Sequence, residues 1–121
     1  MNLKLCSVCG RPYSELHHIV FRSQAPYMKE VKLNHKYLCI EHHRGNSSPH
    51  RNREIDLKYK KELQKKLLDL FPKAYYTVEE IGELLGISEL GTYRIVKTLK
   101  LHEEGYERVD LVIRMMGGMM Y

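Results

Sequence analysis

The chain has 121 residues and a net charge of +5, with 20 Lys and Arg, 15 Asp and Glu, and three Cys. That length allows one domain or two very small ones. No stretch approaches a membrane-spanning run and no signal peptide precedes Cys6, so the expectation is a cytoplasmic protein with reduced thiols and no membrane partner. Three cysteines cannot all pair within one chain, which favours metal ligation over a disulfide framework. The charge is uneven: residues 1–66 hold 14 Lys and Arg against 6 Asp and Glu, and residues 67–121 hold 6 against 9. A basic front half suits a polyanion, because Lys and Arg that neutralise phosphates release condensed counterions.

In chain order, Cys6-Ser-Val-Cys9-Gly10 reads as a zinc knuckle, two thiolates on a tight turn with Gly10 free to take positive φ. Its partner comes 30 residues after Cys9 as Cys39-Ile-Glu-His42. Three sulfurs and one imidazole make a closed tetrahedral set of the structural kind, Cys6, Cys9, Cys39 and His42. Such a site adds folding free energy on the order of 10 kcal/mol in zinc-finger peptides, which would compensate for a small core. Between the half-sites lies Leu16-His17-His18-Ile19-Val20, a short strand pattern. A strand turns neighbouring side chains to opposite faces, so His17 and His18 cannot easily share a task. A division into metal ligand and general base fits that geometry. His35, His43 and His50 are the other histidines left over in this region. Arg22, Arg44, Arg51 and Arg53 flank the cluster and are candidates to grip phosphates.

The series CxxCG, LHHIV and Asn34-His-Lys-Tyr-Leu-Cys39-x-x-His42-His43 resembles the HNH nuclease pattern in its zinc-stabilised form. It is similar in particular to small phage-encoded HNH-like proteins and the related recombination-enhancement nucleases. The resemblance covers residues 6–53. It implies a ββα-metal module, a phage or prophage origin with the bacterial host's cytoplasm as compartment, and double-stranded DNA as the partner. By resemblance His18 is the general base, Asn34 braces the loop and the base, and His17 and His43 hold a catalytic divalent ion. His50 is a candidate further ligand. The chain departs from the pattern at His42, where the family usually has a fourth cysteine. It departs again at Gly45–Pro49, where a helix normally continues. Imidazole ligands favour Zn, Ni or Mn over Mg as the catalytic ion, although family members often accept several.

Residues 54–71 read as one amphipathic helix with Ile55, Tyr59, Leu63, Leu67 and Phe71 on its apolar stripe, linking the module (1–53) to the C-terminal region (73–121). Lys60, Lys61, Lys65 and Lys66 flank the stripe, Asp56–Lys60 and Glu62–Lys66 are i,i+4 pairs, and Pro72 ends the helix. Residues 77–101 then read helix, turn, helix. Thr77 and Glu80 form a capping box, Gly86 ends the first helix, and Ser88 caps the second. This segment resembles a phage-type helix-turn-helix whose recognition helix, Glu89 to Lys100, would offer Thr92, Tyr93, Arg94 and Lys97 to DNA. The alternative is a helical hairpin that packs on the preceding helix or forms a homodimer. Arg108–Arg114, RVDLVIR, reads as a short strand, and the MMGGMMY ending as disordered or partner-bound. The expected whole is α+β: a zinc-stabilised ββα-metal module and, after it, a helical domain. A catalytically silent zinc module within a DNA-binding or partner-binding regulator is the competing expectation.

Overall fold

The computed structural model describes residues 4–121, so the stretch read for a leader lies partly outside it. Among the described residues the chain is a small α+β protein with five α-helices and two small sheets. No helix among them is long and apolar enough to cross a membrane. Strand β1 (Glu15–His18) pairs antiparallel with β2 (His35–Leu38), with Leu16 opposite Tyr37 and His18 opposite His35. The loop between them carries two 3-10 turns, Pro26–Met28 and Lys32–Asn34. A one-turn helix, α1 (Ile40–Arg44), comes directly after β2.

Helix α2 (Arg53–Leu70) starts where Asn52 accepts bonds from the Glu54 and Ile55 amides and stops before Pro72. Its expected stripe is the buried one: Tyr59, Leu63, Leu67 and Phe71 are interior and Ile55 packs against them. Lys60 makes the expected i,i+4 pair with Asp56 at 2.9 Å, and it does so buried, with its ammonium over the Phe21 ring. One side-chain expectation fails. Glu62 reaches back to Lys36 on β2 at 3.8 Å instead of pairing with Lys66.

The second sheet has the order β3-β5-β4, built from Tyr75–Tyr76, Gly105–Glu107 and Leu101–His102. Between β3 and β4 run α3 (Val78–Leu85) and α4 (Glu89–Val96). The Thr77/Glu80 capping box is present, and Gly86 takes φ 69°, the left-handed conformation that ends a helix. Helix α4 is shorter than the Glu89–Lys100 span expected, because β4 begins at Leu101 and the chain must turn first.

The RVDLVIR segment is a helix, α5 (Arg108–Met115), and not a strand. Glu107 caps it by accepting from the Asp110 amide at 2.9 Å, and Leu111, Val112, Met115 and Met116 are all interior. That spacing of i, i+1, i+4 and i+5 is helical; the β-branched residues mislead because burial against α2 and α4 outweighs propensity. The tail is placed too. Met116 is buried, and Tyr121 gives its amide to Gln64 Oε1 and accepts from Gln64 Nε2 at 2.7 and 2.9 Å.

One continuous core runs through both halves of the sequence. Helix α5 ties them. Arg114 donates to the Ile95 and Arg94 carbonyls at 2.9 and 3.1 Å, and its guanidinium lies 3.5 Å from the centroid of Tyr27. Tyr27 in turn donates to the Arg114 carbonyl at 2.7 Å. The β1–β2 loop is thus clamped to the helical half. Arg114→Ala should lower the unfolding free energy by about 2 kcal/mol, since two charge-assisted bonds and a cation–ring contact go together. Urea unfolding should show a lower midpoint at unchanged slope. A loss within about 0.5 kcal/mol, the range of an ordinary surface substitution, would contradict this clamp.

Candidate metal centre

The first cluster forms where the knuckle meets α1. The Gly10 amide donates to the Cys6 carbonyl at 2.9 Å to close the turn, and Gly10 takes φ +77°. Cys39 sits at the N-terminus of α1, and His42 lies one turn on. The four ligand atoms of Cys6, Cys9, Cys39 and His42 lie within 4.8 Å of one another. Their spacing is chemically specific. An ion about 2.3 Å from sulfur and 2.0 Å from nitrogen at tetrahedral angles sets S···S near 3.8 Å and S···N near 3.5 Å. Cys9 and Cys39 sulfurs are 3.7 Å apart, and His42 Nδ1 is 3.6 Å from Cys6 sulfur and 3.2 Å from Cys39 sulfur. Burial acts to raise the Cys6 pKa, but backbone amides, including that of Val8, outweigh it and bring the thiol down to about 6. The thiolate, the ligating form, is then available at neutral pH. This cluster could hold a metal such as zinc.

A second cluster forms between β1, α1 and the turn that follows it. His17 from β1, His43 from α1 and His50 from the next turn bring three ligand nitrogens within 4.8 Å of one another. His43 and His50 face each other through Nε2 atoms 3.1 Å apart. An ion about 2.1 Å from both would see them at roughly 95°, an ordinary ligand angle. His17 is buried, and its Nε2 has no hydrogen-bond partner in the structure. Burial above all, and then the neighbouring His50 and His43, lower its pKa to about 3. It is a neutral imidazole whose buried nitrogen lacks a partner, and a cation would supply one.

Glu15 fixes the orientation of this group. Its Oε1 lies 3.0 Å from His43 Nδ1, and a carboxylate only accepts, so the Nδ1–H donates and Nε2 keeps its lone pair. The His43 bond, and after it the charge of Arg44, holds the Glu15 carboxyl below its ordinary pKa, and Arg44 closes on Oε2 at 2.6 Å. Sequence reasoning missed Glu15, although it stands two residues before His17 and so shares its face of the strand. The stretch from Gly45 to Pro49 does interrupt the helix. The turn it makes returns His50 to His43: Ser48 bonds back to Gly45, and the Asn52 amide to Ser48. Phe21 then stacks on His50 with ring centroids 5.1 Å apart.

His18, the next residue on β1, is not one of the three converging imidazoles. Its Nε2 lies 3.2 Å from the Lys29 carbonyl, which also receives His35 Nε2 at 2.6 Å. A carbonyl cannot donate, so His18 carries its proton on Nε2 and leaves Nδ1 as a base. Burial, and secondarily the charges of His35 and Arg22, lower its pKa, opposed by the Lys29 bond. His17, His18, Arg22, His43 and His50 line one open hollow. Asn34 is wholly buried and ties the loop to β1: its Oδ1 accepts from the Val20 amide at 2.7 Å, and its Nδ2 donates to the Val20 and Met28 carbonyls. His35, assigned no task from the sequence, is the strand partner of His18.

The cationic candidates divide. Arg22 lines the hollow, and Arg51 and Arg53 are exposed beside it in sequence. Arg44 donates one guanidinium bond to Glu15 and keeps its side chain 67% exposed. On α4, Tyr93, Arg94 and Lys97 are exposed, but Thr92 is buried and donates to the Ser88 carbonyl at 2.9 Å. Thr92 packs where a Cβ on Gly82 would stand, 2.8 Å from its Oγ1, which explains a glycine inside α3 and removes Thr92 from any DNA-facing surface.

No protein-family model matches the chain, and no curated protein or solved structure matches it either.

Purified protein should therefore contain one tightly held zinc per chain at the sulfur cluster. Cys39→Ala should lose that zinc and most of its thermal stability, whereas His43→Ala should keep the zinc, because His43 belongs to the other group. Elemental analysis beside thermal melts decides this, and a Cys39→Ala protein of native stability would refute the first centre.

Proposed function

We propose that the chain is a metal-dependent nuclease of the HNH type, cleaving phosphodiester bonds in DNA. One observation carries the reading. A buried imidazole whose Nε2 has no partner stands with two others, one oriented by a carboxylate, within metal-ligating distance, and the next residue on the same strand, His18, lines the same hollow with its tautomer fixed by the Lys29 carbonyl. Hydrolysis of a phosphodiester requires a nucleophilic water, charge stabilisation at the scissile phosphate and a stabilised leaving oxygen. His17, His43 and His50 would hold the divalent ion, which supplies the Lewis acidity. His18 takes the proton of the attacking water at Nδ1 while the Lys29 carbonyl holds its tautomer. Arg22 is placed to meet a neighbouring phosphate oxygen. Asn34 holds the loop against Val20, two residues past His18, and Cys6, Cys9, Cys39 and His42 would hold a structural zinc that steadies α1. Zn, Ni and Mn suit three imidazoles better than Mg.

The helical half serves, in this reading, as a targeting unit through Tyr93, Arg94 and Lys97. A protein-binding role is favoured by a different observation: Glu79, Glu83 and Glu89 line the groove between α3 and α4. Replacing Arg94 and Lys97 together by Ala separates the two. A weaker, salt-flattened DNA affinity supports DNA contact, with roughly one unit of slope per phosphate lost, and an unchanged slope with a lost dimer or partner supports the other.

Plasmid cleavage with Mg, Mn, Ni and Zn tests the proposal. His18→Ala should reduce cleavage by about 10²–10⁴-fold, the usual contribution of a general base, while leaving zinc content and DNA affinity nearly unchanged. His17→Ala and His43→Ala should lose the second ion, with partial rescue by excess metal. The base must be unprotonated, and its pKa lies below the ordinary value. The rate should accordingly rise with pH to a plateau already reached by neutrality. A wild type inert with every ion, or a His18→Ala protein as active as wild type, refutes the enzyme reading.

A further inference from the structure

Helix α1 is the physical link between the two clusters. It has five residues, none of its side chains is buried, and Ile40 is 67% exposed. A single turn of helix is unstable in water without tertiary contacts, because nucleation alone is unfavourable. Its ligands and charges therefore fix α1: Cys39 and His42 towards the sulfurs, and His43 and Arg44 towards Glu15. His42 and His43 are adjacent on this single turn, so a shift of the first is passed along the backbone to the second, against the hold of Glu15 on His43 and Arg44. The sulfur cluster is also unevenly protected. Cys6 and Cys39 are buried, but Cys9, on the knuckle turn, is exposed, and its sulfur stands 3.7 Å from that of Cys39.

We infer that Cys9 and Cys39 form a peroxide-oxidisable pair whose disulfide ejects zinc and, by freeing α1, dismantles the imidazole centre. The inference rests on the metal-centre reading given under Proposed function. The Cys9 thiolate attacks one peroxide oxygen, the O–O bond breaks, and the departing oxygen leaves as water after protonation. The Cys9 sulfenic acid is then attacked at sulfur by the Cys39 thiolate, the S–S bond forms, and hydroxide leaves as a second water. Two thiolates, one hydrogen peroxide and two protons become one disulfide and two waters: the sulfurs lose two electrons and the peroxide gains two. The sulfurs must close from 3.7 Å to about 2.05 Å, which leaves no room for an ion between them. Zinc would retain only Cys6 and His42 and is lost. Exposure selects Cys9 as the attacking sulfur, which coordination and not its surroundings would hold as the thiolate, and proximity selects Cys39 as the resolving one.

The test uses the full chain, reduced and zinc-loaded, with cobalt(II) as the probe of the imidazole centre. Cobalt on three imidazoles gives visible ligand-field bands without the sulfur charge-transfer bands that a thiolate site would add. Stoichiometric hydrogen peroxide should release one zinc per chain to a chromogenic chelator, lower the mass by two hydrogens, and yield a Cys9–Cys39 linked peptide. Cobalt affinity at the imidazoles should fall at least about tenfold, the scale of coupling between linked sites, and return on adding thiol and zinc. If reduced protein binds no cobalt at the imidazoles, the metal-centre reading and the switch fail together. If reduced protein binds cobalt but peroxide leaves zinc in place, links other cysteines, or leaves cobalt affinity unchanged, the switch alone is overturned.

Discussion

A helix of five residues that buries none of its side chains cannot hold itself, and in this protein the front half is arranged around such a helix. Cys39 and His42 face three-sulfur chemistry, whereas His43 faces two further imidazoles. One turn of chain thus serves two sites of different character. The sulfur set is closed, with all four donors from the protein, as befits an ion that holds structure. The imidazole set supplies three donors beside an open hollow, a set that the protein alone does not close. Glu15 joins the two demands, since the carboxylate that orients His43 also anchors Arg44 at the end of the same turn.

The rest of the molecule gives this small assembly a rigid backing. Helix α2 contributes a buried cation, Lys60, held by Asp56 and covered by the rings of Phe21 and Tyr121 at 4.6 and 5.5 Å. Phe21 in turn stacks on His50, so a chain of contacts leads from the helix interior to a candidate ligand. A buried ion pair adds little net stability, but losing one partner is costly, and that makes it a device for fixing geometry. Behind it α5 locks the β1–β2 loop through Tyr27 and Arg114. The helical half is accordingly part of the support of the site, whatever its own surface contacts.

Much of this was legible in the residues, and the failures have physical causes. The CxxC and CxxH half-sites, the opposed faces of His17 and His18, the apolar stripe of α2 and the Thr77/Glu80 cap are local patterns, set by spacing alone. Glu15 was overlooked because a lone carboxylate among cationic residues looks like a surface charge until the strand alternation is traced past the histidines. The Asp56–Lys60 pair is local, but the burial of Lys60 is not legible, because it depends on Phe21 and Tyr121, which are 39 and 61 residues away. The β-branched residues of Arg108–Met115 suggested a strand, and only its packing against α2 and α4 makes a helix the better solution. His50 is hard to place from the residues because Gly45–Pro49 breaks the helix pattern after Arg44. It is a turn, and the turn is what brings His50 round.

On the proposed reading α1 joins two metal centres of different composition. Anomalous diffraction at the zinc edge, on crystals grown with zinc in excess, tests it most directly. The account predicts two peaks per chain. One should lie about 2.3 Å from Cys6, Cys9 and Cys39 sulfurs and about 2.0 Å from His42 Nδ1, and the other about 2.0–2.1 Å from nitrogens of His17, His43 and His50. A chain with zinc among the sulfurs and none among the imidazoles, or with His17 Nε2 turned to a protein partner instead, would contradict it.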